Sequence, residues 1–116
     1  MDKCAFEPVI DEAGLQSMRQ TIGLDAFMEV MFESLADIRK SSARLAVAAE
    51  QADPGGVRRA AHMLTGVFSQ FGCPQAACVT RYVAEGLDDY VLNAAREALA
   101  AASEAEKRLQ AWISRS

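Results

Sequence analysis

The chain has 116 residues, of which 51% are hydrophobic and 24% charged, and its formal net charge is −4. That length sets one domain, residues 1–116, able to bury a core without metal or disulfide staples. The composition excludes a disordered segment, and the acidic balance makes nucleic-acid binding the weakest of the function classes.

No long uninterrupted apolar stretch has membrane-spanning character. The opening residues 1–14 carry no basic segment leading into an apolar run, so no secretory leader is expected and the expected compartment is the cytoplasm. Cys4, Cys73 and Cys78 are the three cysteines. An odd number without a leader predicts free thiols. A single histidine leaves a structural zinc site short of ligands, so no metal is expected.

Residues 1–10 read as extended or loose, with Phe6, Val9 and Ile10 able to rest on the core. Asp11 can cap a short helix through Leu15 and Met18 that ends before Gly23. A long helix follows from about Asp25 to Gln51. Leu24, Phe27, Met28, Met31, Phe32, Leu35, Ile38, Leu45 and Val47 recur at spacings of three and four, which predicts one helical stripe. Its Met and aromatic residues read most simply as core. Asp53 and Pro54 then form an N-cap and a first helical residue.

The third helix is expected from Pro54 to Phe71, with Gly72 as its C-cap. Cys73-Pro74 opens a fourth, reaching Gly86 or Leu87. Asp88 or Asp89 can cap the last, which is alanine-rich and runs from about Asp89 to Ser114. Its stripe is Val91, Leu92, Ala95, Leu99, Ala102, Leu109 and Ile113, with Trp112 beside it. Strand-like runs are absent. The expectation is all-α: an antiparallel four-helix bundle with an additional short N-terminal helix.

On a helical wheel, Val57, Ala60, Ala61, Leu64, Val67, Phe68 and Phe71 form the core face of the third helix. The opposite face holds Arg58, Arg59, His62, Thr65, Gly66 and Ser69, with His62 near its middle. Gly66 costs a helix interior up to about 1 kcal/mol relative to alanine. A clear approach to the imidazole is one reason for a chain this rich in alanine to tolerate it.

Imidazole is a good nucleophile when neutral, and its ordinary pKa is about 6.5. On an open face it can attack an electrophilic phosphorus. Arg58 and Arg59 can offset the charge of the product, and Thr65 and Ser69 can donate hydrogen bonds to phosphoryl oxygens. Nothing else supplies a triad, a carboxylate pair or a nucleotide-binding loop, so any phosphoryl group must come from a partner. An exposed helical histidine is more often an ordinary surface residue, with Arg58, Arg59 and Thr65 as its solvated neighbours.

The run Ala60-Ala61-His62-Met63-Leu64-Thr65-Gly66, followed six residues later by Gly72, resembles the signature of histidine-containing phosphotransfer domains. In that resemblance His62 is the phosphorylated histidine, Gly66 opens access to it, and Gly72 ends the helix. Asp53 and Val57-Arg58-Arg59-Ala60 look like the family's approach to the histidine. The family fold, a four-helix bundle with an extra N-terminal helix, spans nearly the whole chain. One departure is plain: the family usually has lysine where this chain has Thr65. That implies slower transfer, a less stable phosphohistidine, or a protein that only docks, unless Arg58, Arg59 or Arg81 substitutes. The resemblance also implies that Cys78, Tyr82 and Val83 face inward and that Glu85 takes a common acidic position.

The resemblance implies a phosphorelay carrier, not an enzyme. His62 would accept a phosphoryl group from the phosphoaspartate of a response-regulator receiver domain and pass it to another receiver aspartate. A hybrid histidine kinase is a further possible partner. The chain has no cofactor of its own; Mg²⁺ belongs to the receiver. A monomer is expected, without a nucleic-acid or membrane partner. Met63, Val67, the end of the second helix and the N-terminal helix are candidate docking residues. Arg39, Lys40 and Arg44 add a positive region that a solvated helix face explains equally well. Two alternatives remain: an adaptor bundle that binds a receiver or kinase domain without being phosphorylated, and a helical bundle that dimerises through its last helix.

Overall fold

The computed structural model describes residues 2–115, which are 86% helical and contain no strand. A 3-10 helix, Asp2–Phe6, precedes five α-helices: α1 Glu12–Ile22, α2 Leu24–Glu50, α3 Pro54–Gln70, α4 Pro74–Ala84 and α5 Asp88–Ser114. At about 1.5 Å per residue a 27-residue helix is about 40 Å long. The two helices of that length, α2 and α5, therefore set the 43 Å long dimension of the molecule. Among the described residues no helix is long and apolar enough to cross a membrane.

The predicted starts of α1 and α3 are made by side chains. Asp11 Oδ1 accepts from the Gly14 amide at 3.0 Å, and Asp53 Oδ1 from the Gly56 amide at 3.0 Å, satisfying donors that the first turn leaves free. Helix α3 ends as its sequence suggests. Gly72 takes a φ of 73°, and the Cys73 amide donates to the Phe68 carbonyl at 2.9 Å. The α2–α3 corner makes the same bond, from the Asp53 amide to the Ala48 carbonyl at 2.9 Å, but with Ala52 at a φ of 52°.

Two boundaries differ from expectation. Helix α4 stops at Ala84, and residues 85–87 form the turn. Helix α5 begins at Asp88 with Leu87 as an N-cap that makes no side-chain bond. Asp88 and Asp89 thus lie inside the first turn, where the helix dipole favours negative charge.

Helix α3 packs on α2, α4 and α5; α5 also lies against α2 and α4, and α1 rests on α2. Phe27, Met31, Ile38 and Leu45 of α2 meet Val57, Leu64 and Phe68 of α3, Val83 of α4, and Val91 and Leu109 of α5 in one core. Buried Ala94, Ala95, Ala98, Ala102 and Ala105 let α5 approach closely. Trp112 meets Phe27 edge-on at 5.7 Å, with the Arg19 guanidinium 5.6 Å from its ring.

Some expected core residues face outward. Phe32 is 59% exposed, and Leu24 and Val47 are also exposed, because the covered stripe of α2 is narrower than its apolar pattern. Phe6 is 91% exposed, since Cys4 takes the inward position of the 3-10 helix. Tyr82 is exposed and Cys78 half-buried, whereas Ala76, Ala77, Thr80 and Val83 are the buried residues of α4.

The cysteines overturn the expectation of three free thiols. Cys4 and Cys78 form a disulfide across 74 residues, because the 3-10 helix docks on α4 and buries Cys4 against it. Cys73 alone is free, and its burial pushes the thiol up to about 12.

Candidate functional site

A groove of about 880 Å³ lies along the second half of α2 and the first half of α3. Arg44, Val47 and Ala48 line it from α2, Arg59, Ala60, His62 and Met63 from α3, and Ala84 from α4. His62 is exposed. Met63, 55% exposed, and Val47, 50% exposed, make an apolar rim beside it. Arg44 makes no ion pair among the described residues.

Gly66 lies one turn after His62, and a methyl group there would meet nothing within 4 Å. Packing therefore does not require glycine at this position. It leaves the helix surface one turn beyond His62 without a side chain.

The six residues of the predicted face do not act as one group. Arg58 is half-buried; its Nη1 donates to Asp88 Oδ1 at 2.7 Å and to the Gly86 carbonyl at 3.3 Å, holding the start of α5 to α3. Arg59 is exposed, with its guanidinium 4.0 Å from Asp53, and is the freer cation. Ser69 lies two turns beyond His62, in a separate groove with Arg81, Asp11 and Glu7. Neither Ser69 nor Arg81 lines the His62 groove.

Thr65 is half-buried and turned toward α4. Its Oγ1 lies 2.8 Å from the Ala61 carbonyl and 2.8 Å from Thr80 Oγ1, which itself donates to the Ala76 carbonyl at 2.8 Å. With the Ala77 carbonyl 3.3 Å from Thr80 Oγ1, two hydroxyl protons thus serve four contacts. A phosphoryl oxygen would have to compete with the Ala61 carbonyl and Thr80 for the Thr65 proton. Thr80 was missing from the sequence-based face, because a buried threonine in an apolar run has no pattern of its own.

No side chain among the described residues hydrogen-bonds to His62, so the ring has no orienting carboxylate. The arrangement offers an accessible imidazole beside the guanidinium of Arg44, which makes no ion pair among the described residues, that of Arg59, which lies 4.0 Å from Asp53, and an apolar rim. That suits attack on a group already activated elsewhere. Among the described residues no cluster of three or more His, Cys, Asp or Glu side chains is placed to hold a metal ion. Comparison of the chain with protein-family models, with curated proteins and with solved structures finds no match.

Proposed function

We propose that this chain is a phosphorelay carrier of the histidine-containing phosphotransfer kind, with His62 as the phosphoryl acceptor. The observation that carries the reading is the exposed His62 in mid-helix, with open space at Gly66 one turn on and an apolar-rimmed groove beside it. An antiparallel four-helix bundle of α2 to α5, with α1 as the additional helix, is the architecture this function implies. The contacts of α3 with α2, α4 and α5, and of α5 with α2, support it.

In this reading a receiver domain docks over the His62 face. An imidazole nitrogen attacks phosphorus, the bond from phosphorus to the aspartyl oxygen breaks, and the aspartate leaves as a carboxylate. Reversal onto a second receiver aspartate regenerates the imidazole. The chain contributes nucleophile, access and positioning, while the divalent cation belongs to the receiver. Arg44, without an ion pair among the described residues, and Arg59 are the groove's cations able to meet phosphoryl charge; Arg58 stabilises the scaffold through Asp88.

The test is phosphoryl transfer from phosphorylated receiver domains to the purified chain, with His62→Gln as control. Acid-labile label on the wild type and none on His62→Gln is the expected result. A chain that binds receivers but takes label from none of them overturns the carrier reading. The adaptor reading then stands. It draws on the engagement of Thr65 with Thr80, which leaves no lysine-like donor at that position.

A further inference from the structure

We propose that Cys4 and Cys78 form a reversible thiol–disulfide exchange site that fastens and releases the N-terminal segment. This inference does not depend on the phosphorelay reading.

The 3-10 helix packs on α4. Of its neighbourhood, Lys3, Ala5, Phe6 and Glu7 are exposed, and Cys4 is the inward side chain at 1% exposure. The hydrogen bonds that tie this end of the chain down begin further along. Gln75 Nε2 donates to the Glu7 carbonyl at 3.2 Å, the Gln75 amide to the Pro8 carbonyl at 3.1 Å, and the Asp11 amide to the Gly72 carbonyl at 2.8 Å. Ile10 is buried. Residues 8–11 are therefore anchored without the disulfide, whereas the turn before them is held by it. Pro8 marks the border between the two.

The bond is also placed for exchange. Cys78 is half-buried and lines a surface groove of about 360 Å³ that also holds Arg81, Glu7 and Asp11, so an incoming thiol has access to this side of the bridge and meets one positive and two negative side chains there. The thiolate of a dithiol reductant attacks the Cys78 sulfur, forming a mixed disulfide and expelling Cys4 as a thiolate that takes up a proton. The reductant's second thiol then attacks its own sulfur in that bond and frees Cys78. Two electrons pass to the protein, and the reductant leaves as its disulfide. A small disulfide such as oxidised glutathione closes the pair again by the reverse steps. Cys73, five residues before Cys78, is a weak competitor, because burial keeps it as the neutral thiol, with its pKa near 12.

The experiment uses the full chain, treated with oxidised glutathione or with dithiothreitol and then alkylated under denaturing conditions. One label, on Cys73, is expected after glutathione and three after dithiothreitol, with full interconversion. Hydrogen exchange on residues 2–6 and tryptic cleavage after Lys3 should rise in the reduced form to the rates of an unstructured segment, with α2, α3 and α5 unchanged. Cys4→Ser should behave as the reduced form under both treatments, and Cys73→Ser should keep the switch. Three labels after glutathione, or a bridge that includes Cys73, would overturn the proposal. So would equal exchange of residues 2–6 in the two forms, or loss of protection throughout the chain on reduction, which would make the bond a global staple.

Discussion

The two ends of α3 are built differently. Its first half, up to His62 and Met63 at the midpoint, lines an open groove; the corner into the helix holds Ala52 in the left-handed region, and Arg58 reaches across the surface to Asp88. Near its end, Phe68 is fully buried and Gly72 takes the left-handed turn. Leu15 lies against Gly72, and the Asp11 amide bonds to the Gly72 carbonyl. Cys73 is buried at that corner, and the disulfide lies little more than a turn further on. Core burial runs along the whole helix, since Val57, Ala61 and Leu64 are as buried as Phe68; the two ends differ in access and in the bonds at their corners.

The contrast breaks if the firm end proves soft. Phe68→Ala should cost about 3–5 kcal/mol, the usual loss for a fully buried phenyl ring, measured by denaturant unfolding. A loss of less than about 1 kcal/mol would remove the distinction between the ends.

A second test uses the buried thiol at the same corner. The folded chain keeps Cys73 protonated to about pH 12, against an ordinary value of 9.0. Its contribution is fully present below pH 9. Above that the unfolded chain gives up the proton first, so stability falls as pH rises, by up to about 1.4 kcal/mol per unit. Unfolding midpoints from pH 8 upward should show this slope, and Cys73→Ala should flatten it. Equal slopes in the two proteins would mean that the corner admits water.

The smallest effect sharpens the comparison on the exposed face, one turn beyond His62. Gly66→Ala should stabilise the chain by about 0.5–1 kcal/mol, because the methyl meets nothing and the helix gains propensity. The same methyl narrows the approach to His62. The expected pair of results is a raised melting temperature and a slower phosphoryl transfer. Unchanged transfer would separate Gly66 from access.

Most of what is local was legible in the sequence. Asp11, Asp53, Pro54 and Gly72 mark helix ends by their own chemistry, and the structure uses each where the pattern put it. The exposure of His62 followed from a wheel, since a 3.6-residue period assigns faces without reference to other helices. Contacts between elements were not legible. Thr65 belongs to the His62 face on a wheel, yet Thr80, fifteen residues later, draws its hydroxyl toward α4. Asp88 looked like a cap until Arg58, thirty residues earlier, supplied its partner. Periodicity in α2 gave the direction of the apolar stripe but not how much of its width the neighbours would cover, which is why Phe32 and Val47 are exposed. Pairing of Cys4 with Cys78 required the docking of a short turn that carries no strong propensity.

The chain's one tryptophan has a practical consequence. Trp112 lies in the last turns of α5, edge-on to Phe27 near the start of α2 and beneath the guanidinium of Arg19 in α1. Intrinsic fluorescence is therefore a gauge of one pole of the molecule. It will report α1 lifting away or the helices separating, and it will stay silent when a partner settles beside His62. An optical titration needs a reporter at the other pole, and Val47 on the groove's rim is an exposed position to carry one.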